Sequence, residues 1–335
     1  MSKNNYSSRW QREAKGLASE DEARDIRKSQ YAEHVNAFYD AVTNIYLQGW
    51  GQSFHLCRYP RGPERNMMAL ARHEHYLAHA MGLSPNIRVL DVGCGVGGSA
   101  REIAAFAGCH ITGLNLNEFQ VKRGRELIKI DGMESSVDIV QGDFMRMPFD
   151  ENQFDAVYAI EATLHAPSLK NVYAQCYRVL KPGGVFGVLE WALTDKFSKS
   201  DHLHIAIRLG IERGNGIPAL QTIAHAQDAI KAVGFELCLA DDLATRDDPL
   251  GWWNPLSGNL KSARGWYDWL LIVRNTWWGR PTMRVLIRAL EWMGIAPKGT
   301  CTITEDLLIG NDALVAAGEE GIFTPMLLMV AKKPL

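Results

Sequence analysis

The sequence predicts an α/β fold built on a doubly wound, mostly parallel sheet, and three observations support this prediction. From residue 87, short apolar strands alternate with helices of about ten residues. A glycine-rich turn, GCGVGG, separates the first strand from the first of these helices. The chain ends in an apolar run, TPMLLMVAKK, that is typical of a buried strand. Helices between apolar strands require right-handed crossovers, which make the strands parallel and cover both faces of the sheet.

The elements can be assigned in order along the chain. The predicted strands are IRVLDVG, CHITGLN, VDIVQGDF, FDAVYAIEA and GGVFGVLEW, with helices over 99–106 and 118–130 between the first three. We expect three parts: an N-terminal helical lid segment over 1–80, an α/β core over 81–195, and a C-terminal α+β appendage over 196–335. The appendage is expected to bind substrate and to supply the last strands of the sheet.

Composition excludes several classes of protein. The chain has 335 residues and a net charge of −2, so it carries no electrostatic signature for nucleic acid. Six cysteines lie apart without CxxC pairs, so we expect neither a metal site nor a disulfide framework. The N-terminus lacks an apolar signal region, and no run approaches the roughly 18 apolar residues of a membrane span. We therefore expect a cytoplasmic protein with reduced thiols; a homo-oligomer is left open.

The glycine-rich turn indicates a ligand that lies against the backbone. Its glycines are Gly93, Gly95, Gly97 and Gly98, and the first, second and fourth give the spacing of a dinucleotide-binding turn. Two features disfavour NAD. Asp91 precedes the turn, where a carboxylate repels a pyrophosphate but can pair with the ammonium of an amino acid. The second strand ends at Asn115 rather than at the acid that dinucleotide sites use for ribose.

A set of three motifs gives a more specific interpretation. DVGCGVGG, GDF and VLKPGG, in this order and spacing, resemble those of class I S-adenosylmethionine (SAM) methyltransferases. The acid of GDF ends the third strand, where it can accept a hydrogen bond from the exocyclic amine of adenine. The alternative is a doubly wound fold with an unrelated ligand.

Further stretches resemble the sterol 24-C-methyltransferase family from about residue 41 to the C-terminus. They are GWGQSFHLC, RHEHYLA, LDVGCGVGG, GLNLNEFQ, YAIEATLHAPSLKNVY, GIERGNGIP and FTPMLLMVAKKP. The resemblance implies SAM as the cofactor. It places Gly93, Gly95 and Gly97 along SAM, Asn115 with Gln120 at the ribose hydroxyls, Asp143 at the adenine, and Phe144 against the adenine ring.

The resemblance also implies a reaction, because that family methylates the side-chain alkene of a sterol. An alkene is a weak nucleophile, so its attack on the methyl group must be in line and protected from water. The resulting carbocation needs aromatic faces or a carboxylate, and a base must then remove a proton. The candidate catalytic residues are Glu161, His165, Glu190, Tyr46 and His55.

Each candidate has a structural alternative. Glu161 and His165 are four residues apart and could simply pair at a helix start. Glu190 could be a structural acid at the sheet edge, and aromatic residues such as Trp50 and Phe54 could serve packing alone. We expect the N-terminal segment to close over the substrate, and its deletion to leave SAM affinity within a few fold.

The appendage holds seven of the ten tryptophans, between residues 252 and 292. Three interpretations stay open: they line an apolar substrate cavity, face a membrane surface, or form the core of the appendage. A large apolar substrate also suggests peripheral contact with a lipid surface, at the endoplasmic reticulum or lipid droplets.

The chain departs from the family pattern on the substrate side. Leu47 and Gln48 stand where the family has an acid and an aromatic residue, and Leu189 stands at an aromatic position of the fifth strand. These changes suggest a divergent member in specialised, fungal-type metabolism that acts on an alkene of a sterol or of another apolar isoprenoid or polyketide. The alternative function is a non-methylating cyclase of natural-product biosynthesis, which keeps SAM only as a bound cation that promotes ring closure.

Overall fold

A computed structural model describes Tyr6, Trp10 and residues 19–335. In this part of the chain, seven strands form one sheet in the order β3-β2-β1-β4-β5-β7-β6. Strands β1 to β5 are parallel, whereas β7 is antiparallel to both β5 and β6. The predicted doubly wound, mostly parallel sheet is therefore confirmed. The strands are β1 Arg88–Val92, β2 His110–Asn115, β3 Val137–Gln141, β4 Phe154–Ile160, β5 Leu180–Leu193, β6 Glu236–Asp242 and β7 Phe323–Lys332.

Helices cover both faces of the sheet. Successive strand residues alternate between two cores, so Val89 packs on one side and Leu90 on the other. Helices α3, α4, α5, α7 and α11 contribute to the first core, and α6 and α8 to the second. The helices are α1 Glu20–Ser29, α2 Tyr31–Gly49, α3 Asn66–Ala80, α4 Gly98–Ala107, α5 Glu118–Ile130, α6 Leu169–Val179, α7 His202–Gly214, α8 Ile223–Val233, α9 Trp266–Val273, α10 Gly279–Trp292 and α11 Thr300–Glu320.

Strand β6 is the element that the sequence analysis missed. It lies at the edge of the sheet and pairs with β7 alone. Its sequence, ELCLADD, has an apolar run of only four residues, 237–240, and all of its side chains are exposed or half-buried. An edge strand of this kind carries little of the hydrophobic pattern by which buried strands are recognised.

The N-terminal helices lie over the carboxyl ends of the parallel strands. The Asn117 side chain, at the start of α5, donates to Asp40 of α2 over 2.7 Å. Gln120 donates to Thr43 of α2 over 3.0 Å. On the other side, Arg27 of α1 forms a buried ion pair with Glu212 of α7, with 3.3 Å between nitrogen and oxygen. These contacts hold α1 and α2 as a cover on the edge of the sheet where doubly wound folds bind ligands.

Candidate active site

Two adjoining cavities lie at the carboxyl edge of the sheet, beneath α2. The first contains Asp91, Gly93, Gly95, Asn115 and Asp143 in its wall. The second is mostly apolar and aromatic, with Tyr46, Trp50, Trp191, Leu256 and Leu314 in its wall. Both cavities are lined by Phe54, His55 and Glu161. A ligand in one cavity can therefore meet a ligand in the other at these three side chains.

The turn after β1 brings backbone to the wall of the first cavity. Gly93 has a φ of 82°, and a Cβ there would collide with the Cβ of Ala162. Gly97 caps α4 with a φ of 74° and is not among the lining residues of this cavity. A Cβ on Gly98 would collide with the backbone of Gln52. The close approach of the loop that follows α2 thus requires glycine at position 98. This packing accounts for the spacing of a dinucleotide-binding turn, and no bound dinucleotide is needed to explain it.

Asp91 supplies a buried carboxyl group to the first cavity. The Tyr158 hydroxyl donates to it over 3.0 Å, and burial raises the pKa of Asp91 to about 7 despite this hydrogen bond. A cation bound beside Asp91 would favour the carboxylate form. An amino-acid ammonium, as predicted from the sequence, meets this requirement.

The far end of the first cavity carries the residues predicted for ribose and adenine. Asn115 donates to the Gln120 side chain over 2.9 Å, and Gln120 in turn donates to Thr43, so the amide of Gln120 is engaged within the protein. Asp143 accepts hydrogen bonds from the Tyr31 hydroxyl and, over 2.7 Å, from the backbone N–H of Met145.

Tyr31 is a cavity residue that the sequence analysis missed. Its ring lies nearly parallel to that of Phe144, with 6.1 Å between the ring centres. Tyr31, Val35 and Tyr39 of α2 all line the first cavity. The N-terminal segment is therefore a wall of the first cavity as well as of the second, which argues against the expectation that its deletion would leave SAM affinity nearly unchanged.

The chemistry of this cavity fits SAM. A buried acid lies at one end, the amide of Asn115 and the carboxylate of Asp143 lie at the other, and the two aromatic rings of Tyr31 and Phe144 face the same space. Only one carboxylate oxygen of Asp143 accepts the hydrogen bonds from Tyr31 and Met145, so the other can accept one from an adenine amine.

Glu161 lies where the two cavities meet, in an unusual backbone conformation. Its φ is 49°, a left-handed value that is uncommon for a residue with a side chain. Its carboxylate accepts a hydrogen bond from the backbone N–H of Leu56 over 2.9 Å. Burial raises the pKa of Glu161 to about 8, although the positive charge of His55 and the Leu56 hydrogen bond oppose this shift. Glu161 thus gains its negative charge most easily when a cation is bound nearby.

His55 is held as an imidazolium by a second buried acid. Its Nε2 lies 2.8 Å from a carboxylate oxygen of Glu74, and its Nδ1 lies 2.9 Å from the carbonyl oxygen of Leu56. Both neighbours are acceptors, so both ring nitrogens donate. Burial opposes the charge, but the hydrogen bond and negative charge of Glu74 outweigh it and raise the pKa of His55. This geometry leaves His55 no free nitrogen to act as a base.

Glu74 was not singled out as a site residue, although it lies in the RHEHYLA stretch that carries part of the family resemblance. Its pairing with His55 spans 19 residues of chain. No local spacing rule connects the two positions.

His165 is oriented by two hydrogen bonds within the protein. Its Nδ1 donates to the carbonyl oxygen of Gly216 over 3.1 Å, and its Nε2 accepts from the Tyr39 hydroxyl over 2.9 Å. Burial lowers the pKa of His165 to about 4, so the ring is neutral. Glu161 and His165 both line the first cavity, but they bond to different partners and do not form the pair that their spacing allows.

The structure does not bring Glu190 to either cavity. Its carboxyl group accepts hydrogen bonds from the Thr163 hydroxyl and, over 3.2 Å, from the Tyr173 hydroxyl. Glu190 is only 1% exposed, and burial raises its pKa to about 7. It lies in β5, between β4 and β7 in the sheet. This position favours the alternative of a structural acid, inside the sheet rather than at its edge, and the catalytic role of Glu190 stays a prediction.

The departures from the family pattern lie outside the two cavities. Tyr46 and Trp50 are four residues apart on α2 and its end, and both line the second cavity. Leu47 and Gln48 fall on other faces of the helix and are not among the lining residues of either cavity. Leu189 is a buried core residue of β5. The cavity walls are thus unaffected by these three replacements.

The tryptophans of the appendage divide into two groups. Trp252 is 4% exposed and packs with Trp253 in the first core, as one of the interpretations predicts. The other five, Trp266, Trp269, Trp277, Trp278 and Trp292, are exposed. None of the seven lines either of the two cavities.

Over residues 19–335 with Tyr6 and Trp10, no cluster of three or more metal-binding side chains is present. All six cysteines are free thiols. In the same described part of the chain, no helix is both long and apolar enough to cross a membrane.

Two family models match the chain. A model described as "Methyltransferase domain" matches residues 90–188, and one described as "Sterol methyltransferase C-terminal" matches residues 270–335. The first spans the strands and turn of the cofactor cavity. The second spans α10, α11 and β7.

Solved structures share the fold at low sequence identity. The cyclase SpnF is 22% identical with a TM-score of 0.64, covering 90% of this chain and 95% of that one. Geranyl diphosphate C-methyltransferase from Streptomyces coelicolor, solved with S-adenosyl-L-homocysteine, is 15% identical with a TM-score of 0.64, covering 90% of this chain and 98% of that one. This likeness concerns the fold alone.

Curated relatives match at much higher identity. Sterol 24-C-methyltransferase ERG6B of Gibberella zeae is 50% identical over 320 residues, covering 94% of this chain and 84% of the relative. The erg6 enzyme of Aspergillus fumigatus is 48% identical, covering 94% and 83%. That of Schizosaccharomyces pombe is 46% identical, covering 97% and 85%. With its glycine turn, acid-lined cofactor cavity and adjoining aromatic cavity, this chain belongs to the sterol 24-C-methyltransferase family of SAM-dependent enzymes.

Proposed function

We propose that this enzyme transfers a methyl group from SAM to the side-chain alkene of a sterol, with the reacting atoms meeting at Glu161. The observation that carries the proposal is the junction of a polar cofactor cavity and an aromatic cavity at Phe54, His55 and Glu161. When bound, SAM supplies an electrophilic methyl group on a sulfonium. Asp91, Asn115 and Asp143 would hold its ammonium, ribose and adenine.

Residues of the second cavity would stabilise the charge that develops on the substrate. When the alkene electron pair forms the new carbon–carbon bond, the methyl–sulfur bond would break with its electron pair on sulfur, which gives S-adenosylhomocysteine and leaves a carbocation on the sterol side chain. The rings of Tyr46 and Phe54 lie edge to face with 5.3 Å between their centres, and Trp50 lines the same space. Aromatic faces attract a cation by about 0.5–2 kcal/mol each. The mostly apolar wall would also disfavour water that could trap the cation.

Glu161 is the group best suited to take the proton that the cation loses. It faces both cavities, and its pKa of about 8 in the absence of ligands matches a base that works near neutral pH. His165 is less suited, because its free nitrogen already accepts from Tyr39. We assign His165 to orienting Tyr39. The His55–Glu74 pair we assign to holding the loop that donates a hydrogen bond to Glu161.

The rest of the sterol would extend away from SAM. A third cavity shares Tyr46, Trp50, Leu256 and Asn311 with the second. It leads toward α9, α10 and α11. The succession of cavities suits an elongated apolar molecule with its alkene at the SAM end. Because such a substrate resides in lipid, we also propose peripheral contact with a lipid surface of the endoplasmic reticulum or lipid droplets.

The test compares SAM with sinefungin, a cationic analogue without a transferable methyl group. With SAM and a Δ24 sterol, we expect one S-adenosylhomocysteine per product, and we expect sinefungin to inhibit. Product formation with sinefungin, without S-adenosylhomocysteine, would instead support the alternative of a cyclase that uses SAM as a bound cation.

A further inference from the structure

Helices α9 and α10 and the turn between them expose eight large apolar side chains that the reaction does not use. We call this set the tryptophan face, and its residues are Trp266, Trp269, Leu270, Trp277, Trp278, Val285, Leu286 and Trp292. Trp277 is 87% exposed, Trp292 88% and Trp266 76%. Of the residues in α10, only Gly279 is buried. Tryptophans so exposed are unusual on the surface of a protein that has no partner there.

The charge around this face has the opposite sign to the chain as a whole. Residues 266–299 contain five Arg and Lys but two Asp and Glu, whereas the full chain has a net charge of −2. Arg280, Arg284 and Arg288 follow one another at intervals of four residues on α10, which places them along one side of the helix. Arg280 forms an ion pair with Asp312 and Arg288 lies 3.7 Å from Glu305, both acids of α11, so among the described residues Arg284 is the member of this stripe that forms no ion pair. Of the two acids, Asp268 is buried. A helix with an apolar stripe, tryptophans and an arginine stripe suits the interface of an anionic bilayer.

The same two helices form part of the wall of the third cavity. Arg274 lies at the end of α9, and Arg280 and Met283 lie in the first turns of α10; all three line that cavity. The cavity shares residues with the second cavity, which meets the first at Glu161. A bilayer seated on the tryptophan face would therefore lie beside the sterol end of the substrate path.

We propose that the tryptophan face docks on a bilayer containing anionic phospholipid, and that the sterol enters the third cavity from that bilayer. This inference rests on the proposed function for the identity of the substrate, and it adds the surface, the lipid charge and the route of entry. Indole rings reside at the boundary of headgroups and acyl chains, and Arg284 can pair with a phosphate group above them.

The experiment measures flotation of the full chain with vesicles of phosphatidylcholine and phosphatidylserine. We expect the wild type to float, and the double variant Trp277→Ala/Trp292→Ala to lose about tenfold or more of its partitioning. Arg284→Glu should weaken binding to vesicles with phosphatidylserine more than to those without it. The matched control is Met67→Ala/Ile130→Ala, which removes two exposed apolar side chains from α3 and α5 and should float as the wild type does.

A second readout separates this inference from the proposed function. With the sterol dispersed in detergent, the double tryptophan variant should turn over at the wild-type rate, because neither residue lines a cavity. With the sterol in vesicles, its rate should fall in parallel with flotation. Equal flotation of the double variant and the wild type would overturn the inference. So would a wild-type protein that forms a dimer and does not float, if the double variant is a monomer. Failure of the wild type to methylate sterol in detergent would count against the proposed function alone.

Discussion

The two halves of the active site are built in different ways. The cofactor half consists mainly of strand ends and their turns, so Asp91, Asn115 and Asp143 come from successive strands of one sheet edge. The substrate half joins α2 and its following loop to Trp191 of β5 and to Leu256 and Leu314 of the appendage. Polar groups on a rigid sheet suit the recognition of one cofactor. Replacements in an apolar wall drawn from distant segments can change which substrate binds without changing the fold. Glu161 belongs to both halves.

The largest expected effect tests that shared position. Glu161→Gln keeps the size of the side chain but removes the negative charge and the proton acceptor. We expect kcat to fall by about 10²–10⁴-fold, the range for a general base or a preorganised charge. SAM affinity, measured by calorimetry, should stay within a few fold, because Asp91 and Asp143 are unchanged. The control is Glu190→Gln, which should lower the melting temperature while the folded enzyme keeps most of its kcat. If Glu190→Gln instead lowers kcat and Glu161→Gln does not, the chemistry belongs to Glu190.

A smaller effect is expected at the cofactor half. Asp143→Ala removes a charge-assisted hydrogen bond to adenine, worth roughly 1.5–3 kcal/mol, so Kd for SAM should rise by about 10–150-fold. Tyr31→Phe removes only the hydroxyl that donates to Asp143, and we expect a change of a few fold. Calorimetry on both variants measures these differences. An unchanged Kd in Asp143→Ala would mean that adenine binds elsewhere.

The two halves should also be linked through protons. The pKa values of Asp91 and Glu161 are raised by burial to about 7 and about 8, so both groups favour the protonated form in the ligand-free enzyme. Their protonated forms therefore stabilise the ligand-free fold. This contribution to the free energy of unfolding is complete below pH 4 and is lost as the pH rises toward 8. A bound sulfonium and ammonium favour the carboxylates instead, so SAM binding should release protons near pH 7.

Calorimetry in two buffers of different ionisation enthalpy measures this release directly. SAM should also raise the melting temperature more at pH 8 than at pH 6. No proton release between these pH values would show that the two carboxylates do not sense the cofactor.

The smallest expected effect concerns the positions where the chain departs from its family. Leu47→Glu restores an acid at a position outside both cavities. We expect kcat/KM for a sterol to change by less than about threefold, the range of surface substitutions away from a site. A gain of tenfold or more would mean that the acid reaches the substrate, and that the two cavities do not contain the whole site.

The same contrast explains what could be predicted from the sequence. Strands β1 to β5 and the glycine turn follow from local patterns, whereas the roles of the cofactor residues are implied by the family resemblance and stay predictions. Tyr31 and Glu74 could not be found in this way, because their partners Asp143 and His55 are 112 and 19 residues away in the chain. The place of Glu190 near a strand end says nothing about the direction of its side chain, so its catalytic role stays a prediction. Thr163 and Tyr173 hold it in the interior.

The measurement that tests the central claim most directly is a single turnover with a Δ24 sterol and SAM carrying a ¹³C methyl group. If the side-chain alkene meets the cofactor at Glu161, carbon NMR of the product will show the label on a new carbon bonded to the sterol side chain. A label on the ring hydroxyl oxygen, or a product without label, would contradict this account.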